Sequence, residues 1–454
     1  MKIEARGAVP MSAQIIPSRT PAETTLVESF GAVKASLPGS ADVAKLREDN
    51  FAAFVEAGLP HRRVEAWHYT DLRTIMREAL PLAAAPSPAA LEGLKKDVAA
   101  LPLHGTKLVI VDGAFVPELS DKAPEGVTIS SLATVLSSGK PDLLTLLAGQ
   151  GMGAGDAIVA LNAAMMQDGI VIEVAPGAVV AEPLNLIYAT ASATPVARFS
   201  RSLVSVGAKA SVAIAESSLG EGGRTGQTNG CLIFSVEDEA KVTHTSLLTG
   251  SVAGSIRLET FMVSLGARVK FDSFALISGQ GLTRRQIFLR FNGEESESTM
   301  RGASLLRGRE YADTTLFAEH LAPSCVGREI FKYILDDEAV GVFQGKIHVA
   351  PEAQQTDGRM LSKALLLTDG VVMNNKPELE IFADDVACAH GATCGGLSEE
   401  QIFYLQARGL PYKEAEALLL EAFAAELVDE LEDEKTAETL RGEISSWLAA
   451  RVVK

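Results

Sequence analysis

The side chains best suited to chemistry lie in one window near the C-terminal end of the chain. The sequence contains 4 Cys and 7 His, and the window from His320 to Cys394 holds three Cys and three His. Thiolate and imidazole groups bind soft and borderline metals. Cys thiolates also hold iron–sulfur clusters, and His can replace some of them. If the chain performs metal chemistry, this window is where we expect it, with Glu378–Cys394 as its core.

The strand periodicity of the sequence predicts where Cys388 and His390 point. In the segment Glu378–Ala383, apolar side chains alternate with Glu380 and Phe382. Side chains on a strand repeat every two residues, so a continuous strand would place Cys388 and His390 on the face of Glu380, away from a core. Cysteine usually packs inside a protein, so an outward Cys–His pair favours a functional site.

The direction and the role of this pair both remain open. Asp384 and Asp385 can form a turn that resets the alternation of side chains, so that the pair faces the core. In a functional site the same aspartates can orient His390, as carboxylates do beside metal-binding imidazoles. In the purely structural alternative, Cys388 is a small buried hydrophobe and His390 is hydrogen-bonded to one of the two aspartates.

The central pair supplies only two ligands of the four that a tetrahedral site needs. A partner chain must supply the others, unless His348 and His320 converge on the same point. Cys325 and Cys394 are interpreted as structural, and Cys231 lies in an apolar run that is typical of a core strand.

Composition excludes several classes of function. The chain has 454 residues and a net charge of −17, which disfavours nucleic-acid coats and anionic membrane surfaces. It contains no P-loop, HExxH or GxSxG motif. No apolar run is long enough to span a membrane, Glu4 and Arg6 interrupt the N-terminal stretch where a signal peptide would lie, and no CxxC pair occurs. These features predict a cytoplasmic protein with reduced thiols.

A recurring turn predicts a solenoid in the middle of the chain. From about Asp156, short β-rich runs end in Gly or acidic turns, and the alanines Ala208, Ala240 and Ala267 lie about 27–32 residues apart. Such a period is typical of one solenoid coil per repeat. The alternative is a large β-sandwich in which the turn spacing is a coincidence.

Helical segments flank this region. Ser40 can cap a helix that ends near Gly58, and Trp67 and Tyr69 are predicted packing anchors. Ser398 begins a capping box ahead of further helices. We therefore expect a tail over 1–20, a mostly helical region over 21–155, a β-helix over 156–397 and a helical domain over 398–454.

The chain resembles the SufB/SufD family of iron–sulfur cluster assembly proteins. The resemblance is most specific over residues 374–409, NNKPELEIFADDVACAHGATCGGLSEEQIFYLQARG, and its Ala-Cys-Ala-His-Gly-Ala-Thr stretch favours the SufD branch. Further agreement is found in Glu65–Thr70, Ala160–Asn162, Phe343–Ile347 and Gln355–Asp357. Cys394 and Cys325 depart from the pattern of the family and leave the ligand set open.

The resemblance implies a mainly β protein with a right-handed parallel β-helix between N-terminal and C-terminal helical domains. It implies a scaffold without turnover of its own, paired with SufB through the β-helix and with the SufC ATPase through the helices from Pro411 to Lys454. A transient iron–sulfur cluster or iron would bind at the interface with SufB, with His390 as first ligand and Cys388 as second. Flavin binding and a homodimer of the isolated chain remain open.

Two rival functions come from other classes. A metal-dependent hydrolase or polysaccharide lyase on a β-helix would use the same Cys and His window, although a lyase is normally secreted. The other rival is a homodimeric β-helix protein with only a structural role.

Overall fold

The computed structural model describes residues 19–139, 141–220 and 225–452. The predicted tail over 1–20 therefore lies almost wholly outside the described residues. The protein is mainly β, with 40% strand and 28% helix, and its core is a β-solenoid of about eight coils with helical regions on both sides. The predicted fold class is confirmed.

The strands run in chain order from β1 to β17. They are Thr106–Val111, Ala114–Phe115, Val127–Ser131, Ile170–Val174, Leu184–Ala189, Ala197–Val206, Ser211–Leu219, Gln227–Val236, Lys241–Leu265, Lys270–Phe291, Glu297–Leu306, Tyr311–His320, Val326–Leu335, Val340–Val349, Asp357–Leu366, Val372–Ile381 and Ala387–Gly395.

Parallel pairing divides these strands into two stacked ladders, except for β2 and β3, which pair antiparallel with β1 and β4. One ladder runs β4, β6, β8, β9, β10, β12, β14, β16. The other runs β1, β5, β7, β9, β10, β11, β13, β15, β17. The long strands β9 and β10 bend and contribute to both ladders, so each coil adds one strand to each sheet.

The corners between the two ladders repeat one backbone turn. Lys209, Glu239 and Arg268 each adopt a positive φ, and the amide of each bonds to the next coil. For example, Lys209 N–H donates to the Asp238 carbonyl at 2.9 Å. The residue after each of these turns faces the core, as Ala210 and Ala240 do, each 1% exposed.

The predicted repeat is therefore confirmed, but its alignment is wrong at one position. Ala208 and Ala267 each precede the residue with positive φ and are equivalent corner residues. Ala240 follows that residue in its own coil, so its equivalent in the preceding coil is Ala210. Ala and Gly recur at several corner positions, so their letters alone do not determine which residue lies over which.

The N-terminal helices pack over the outer face of the first ladder, except α4 (Pro88–Ala100), which packs on β1 and β5 of the second ladder. They are α1 to α7: Pro21–Val33, Ala41–Ala57, Leu72–Ile75, Pro88–Ala100, Leu132–Ser138, Pro141–Leu147 and Ala157–Met165. Ser40 caps α2 and Gly58 ends it at φ 70°, as the sequence predicts. Trp67 is 1% exposed, which confirms its role as a packing anchor.

The C-terminal helices pack over the outer face of the second ladder. They are α8 to α10: Glu399–Gln406, Tyr412–Val428 and Glu434–Val452. Their apolar side chains join Phe274, Leu305 and Ile334 of the sheet in one core. Lys332 from β13 reaches this layer and donates to the Phe423 carbonyl at 2.7 Å. In the described part of the chain, no helix is both long and apolar enough for a membrane span.

Candidate functional site

The predicted site residues lie on the last coil of the solenoid. Strand β17 pairs in register with β15, so that Cys388 lies opposite Gly358 and His390 opposite Met360. Met360 belongs to the solenoid core and is 2% exposed. Because register partners in stacked coils point the same way, Cys388 and His390 face the axis of the solenoid.

The prediction that this pair points away from the core is wrong. The alternation holds along β16, where Leu379 packs on the core and Glu380 lies outside against Lys346 at 2.8 Å. The chain then turns a corner: Asp385 N–H donates to Gln354 Oε1 at 2.9 Å. This turn resets the alternation before β17 begins, which is the alternative that the sequence left open.

The inward-facing pair nevertheless meets solvent because the solenoid ends there. No described strand pairs with the far edge of β16 or β17. His390 and Cys394 are exposed, and Cys388 is half-buried against the core. Burial raises the pKa of the Cys388 thiol, although the Gly358 amide lowers it in part. The site is an open mouth lined by thiol and imidazole groups.

Asn375, which sequence reasoning missed, holds the rim of this mouth. Its Nδ2 donates to Cys394 Sγ at 3.1 Å, and its Oδ1 accepts from Ser362 Oγ at 2.6 Å. Cys394 is therefore a positioned surface thiol and not a core residue. Asn375 falls within the most specific stretch of the sequence, which is the signal that could have drawn attention to it.

The remaining candidate ligands do not join the pair. His348 lies on the outer face, 3.6 Å from Glu380, whereas His320 is fully buried inside the solenoid. Within the described residues, no three His, Cys, Asp or Glu side chains converge closely enough to hold a metal ion. Among the described residues, Cys388 and His390 therefore gain no further ligand from His348 or His320.

The two aspartates at the last corner are exposed. Neither carboxylate has a hydrogen bond to His390 in the described structure, and Asp385 contacts the corner of the preceding coil instead. The orientation of His390 by Asp384 and Asp385 therefore stays a prediction. Cys325 and Cys231 are buried, and Cys325 Sγ donates to the Gly293 carbonyl at 3.3 Å, which confirms the structural interpretation of both.

A second surface lies on the C-terminal helices. Phe403 and Tyr404 on α8 and Tyr412 and Leu418 on α9 are 72%, 56%, 53% and 51% exposed. Leu420, Ala424 and Leu427 of α9 face the body, whereas Leu418 lies on the outer side of the helix. We call these four exposed residues the helical apolar surface.

Fold and site together define a solenoid protein that presents Cys and His at an open end. Two family models match the chain: the SufBD protein N-terminal region over residues 23–186, and the SufBD core domain of the SUF system of iron–sulfur cluster assembly over 188–423.

The chain is also similar over most of its length to individual proteins of bacteria and a plant. The chain is 31% identical to the iron–sulfur cluster assembly protein SufD of Escherichia coli over 394 residues, covering 85% of this chain and 89% of the relative. It is 30% identical to a SufBD family protein of Synechocystis over 414 residues, covering 87% and 88%. It is also 26% identical to the chloroplastic protein ABCI7 of Arabidopsis thaliana over 443 residues, covering 93% and 90%.

The chain therefore belongs to the SufBD family of the SUF system and serves iron–sulfur cluster assembly as a scaffold. The alternative of a hydrolase or lyase is not favoured by any of these findings.

Proposed function

We propose that this chain is a scaffold subunit without turnover of its own that binds a nascent iron–sulfur cluster, or its iron, at the open end of the solenoid. The observation that carries the proposal is the inward-facing pair on the last coil. His390 is exposed with no side-chain partner in the described structure, and Cys388 lies beside it on the same face of β17. Thiolate and imidazole suit iron and its clusters.

A partner chain completes the ligand set. The outer edges of β16 and β17 have free backbone groups among the described strands, and such edges are templates for pairing with another chain. Val372 and Phe382 on this coil are 46% and 61% exposed. We propose that SufB pairs with this end, and that the isolated chain forms a homodimer through the same edges.

The helical apolar surface is the proposed docking site for the SufC ATPase. Its aromatic residues are of the kind that dominate protein interfaces, and ATP hydrolysis would take place in that partner. We expect assembly in the cytoplasm, since the four cysteines are free thiols and none pairs with another.

The test is coexpression with SufB and SufC, followed by anaerobic reconstitution with iron and sulfide. We expect His390→Ala to lower cluster content by at least about tenfold, since the loss of even a supporting group weakens a metal site by that much. Cys388→Ser should cause a smaller loss, because its thiol is half-buried and its pKa is raised.

The matched control is His348→Ala, which removes a histidine from the outer face of the neighbouring strand β14. It should leave cluster content unchanged. Normal cluster content in the His390→Ala complex would overturn the ligand assignment. Failure of this chain to recover SufB or SufC while remaining folded would overturn the partner assignment.

A further inference from the structure

Five buried polar atoms without a hydrogen-bond partner in the described structure gather inside the solenoid, on the neighbouring strands β11, β12 and β13. They are Ser298 Oγ, both ring nitrogens of His320 and both carboxylate oxygens of Glu329. The three residues are 2%, 0% and 0% exposed. A buried polar group left unpaired costs about 1–3 kcal/mol, and such groups in native proteins call for a bound water or ion.

The three side chains converge over the backbone of Gly327. A Cβ at that position would lie 2.8 Å from Glu329 Oε1 and 3.2 Å from His320 Nε2. Ser298 is the register partner of Gly327 in the preceding coil. The His320 ring stacks on Phe291 at 4.2 Å, which holds the plane of the imidazole. The missing side chain of Gly327 is what lets the carboxylate and imidazole approach each other.

We propose that His320 and Glu329 bind one divalent first-row transition-metal ion inside the solenoid, with Ser298 and water completing its coordination. Imidazole nitrogen and carboxylate oxygen are ligands that such ions accept. Binding would satisfy atoms that the fold leaves unpaired. Burial raises the pKa of Glu329 to about 8, and a bound cation would favour the ionised carboxylate. The site is distinct from the open mouth, which uses Cys388 and His390.

A column of glycines connects this interior site to the mouth. Gly327, Gly358 and Cys388 are successive register partners. A Cβ on Gly358 would meet Ile347 at 3.5 Å and Cys388 Sγ at 3.6 Å, which are ordinary contact distances. The column therefore has room for one further atom between the Cys388 thiol and the interior site. Fe²⁺ is the ion that cluster assembly would supply, and this identity alone rests on the proposed function.

The test uses the full chain, freed of metal with a chelator and titrated anaerobically with Co²⁺ as a spectroscopic probe. The background variant Cys388→Ser/His390→Ala removes the mouth ligands. In that background we expect one Co²⁺ per chain with visible d–d absorption and no thiolate charge-transfer band. Glu329→Gln and His320→Gln, each added to it, should weaken Co²⁺ binding by more than about tenfold.

Glu319→Gln is the matched control, because Glu319 precedes His320 but pairs outward with Arg290 at 2.7 Å. It should bind Co²⁺ like its parent. Circular dichroism checks that every variant is folded, and Glu329→Gln is an isosteric neutral change that the core accommodates. Anomalous diffraction at the cobalt edge should give a peak beside Gly327.

Absence of Co²⁺ binding in the background variant, or electron density for ordered water only beside Gly327, would overturn the proposal. Either result leaves the cluster-binding role of His390 untouched, because that role is read from cluster content in the complex with SufB and SufC.

Discussion

Arg284 joins the N-terminal region to the solenoid, and its removal should loosen that contact. The guanidinium is buried and pairs with the buried carboxylate of Asp313. It also donates to the Ala66 carbonyl at 2.6 Å and lies 3.8 Å from the centre of the Trp67 ring. Thr70 Oγ1 donates to the same Asp313 carboxylate. One cation thus holds the segment 66–70 against strand β10.

The perturbation is Arg284→Met, which keeps an unbranched stem and removes the charge. Breaking a buried pair by removing one partner costs about 3–5 kcal/mol, because the other charge is left uncompensated. The cation–π contact with Trp67 adds up to about 2 kcal/mol when it is desolvated. Since about 1.4 kcal/mol is a factor of ten, local opening of the N-terminal region should become at least about 100-fold more frequent.

Native-state hydrogen exchange of the amides in 60–76 is the suitable assay, since a chain of this size and architecture need not unfold in one step. The matched control is Arg284→Met/Asp313→Asn, in which both charges are absent. It should recover most of the protection, because a buried pair replaced by neutral groups is often close to neutral in stability.

Two outcomes would refute this reasoning. Exchange within tenfold of the wild type in Arg284→Met would mean that the pair does not hold the segment. A double variant as unprotected as the single variant would mean that the loss comes from packing and not from an unpaired charge.

Three further predictions concern other layers of the fold. Burial lowers the pKa of His244, which faces Glu216 and Arg285, so the folded state stays neutral where the unfolded chain is protonated. The free energy of unfolding should therefore fall as pH drops below about 6.5. His244→Gln should flatten the dependence of Tm on pH in that range. An unchanged slope would mean that His244 is not the group responsible. Lys332→Met removes the hydrogen bonds that the buried ammonium donates to Phe423 and Glu426 on α9. Hydrogen bonds of charged groups contribute about 1.5–3 kcal/mol, so amide exchange over 412–452 should be faster, and an unchanged exchange rate would contradict this. Thr20→Ala removes the capping box of α1 and should cost about 1 kcal/mol, whereas protection of 21–33 equal to wild type would show that the cap is dispensable.

Residue types and their local spacing were enough to predict the kinds of structure and of chemistry. The recurring turns predict coils because each corner requires the same backbone conformation, and Ser40 and Gly58 mark the ends of α2 because caps act locally. The choice of Cys388 and His390 as candidate ligands also came from local sequence, because these two donors lie two positions apart and so share one strand face.

The direction in which Cys388 and His390 point depends on contacts between coils, which local sequence does not contain. The alternation of side chains between the two faces of a strand holds only within that strand. The corner at Asp384 and Asp385 interrupts it, and hydrogen bonds to the preceding coil determine the shape of that corner. The alignment of Ala240 with Ala208 and Ala267 was wrong because hydrogen bonds between coils, and not residue types, determine which corner residues are equivalent. Whether an inward side chain is buried depends on the next coil, and because no described strand covers β17, an inward-facing imidazole at His390 remains open to solvent.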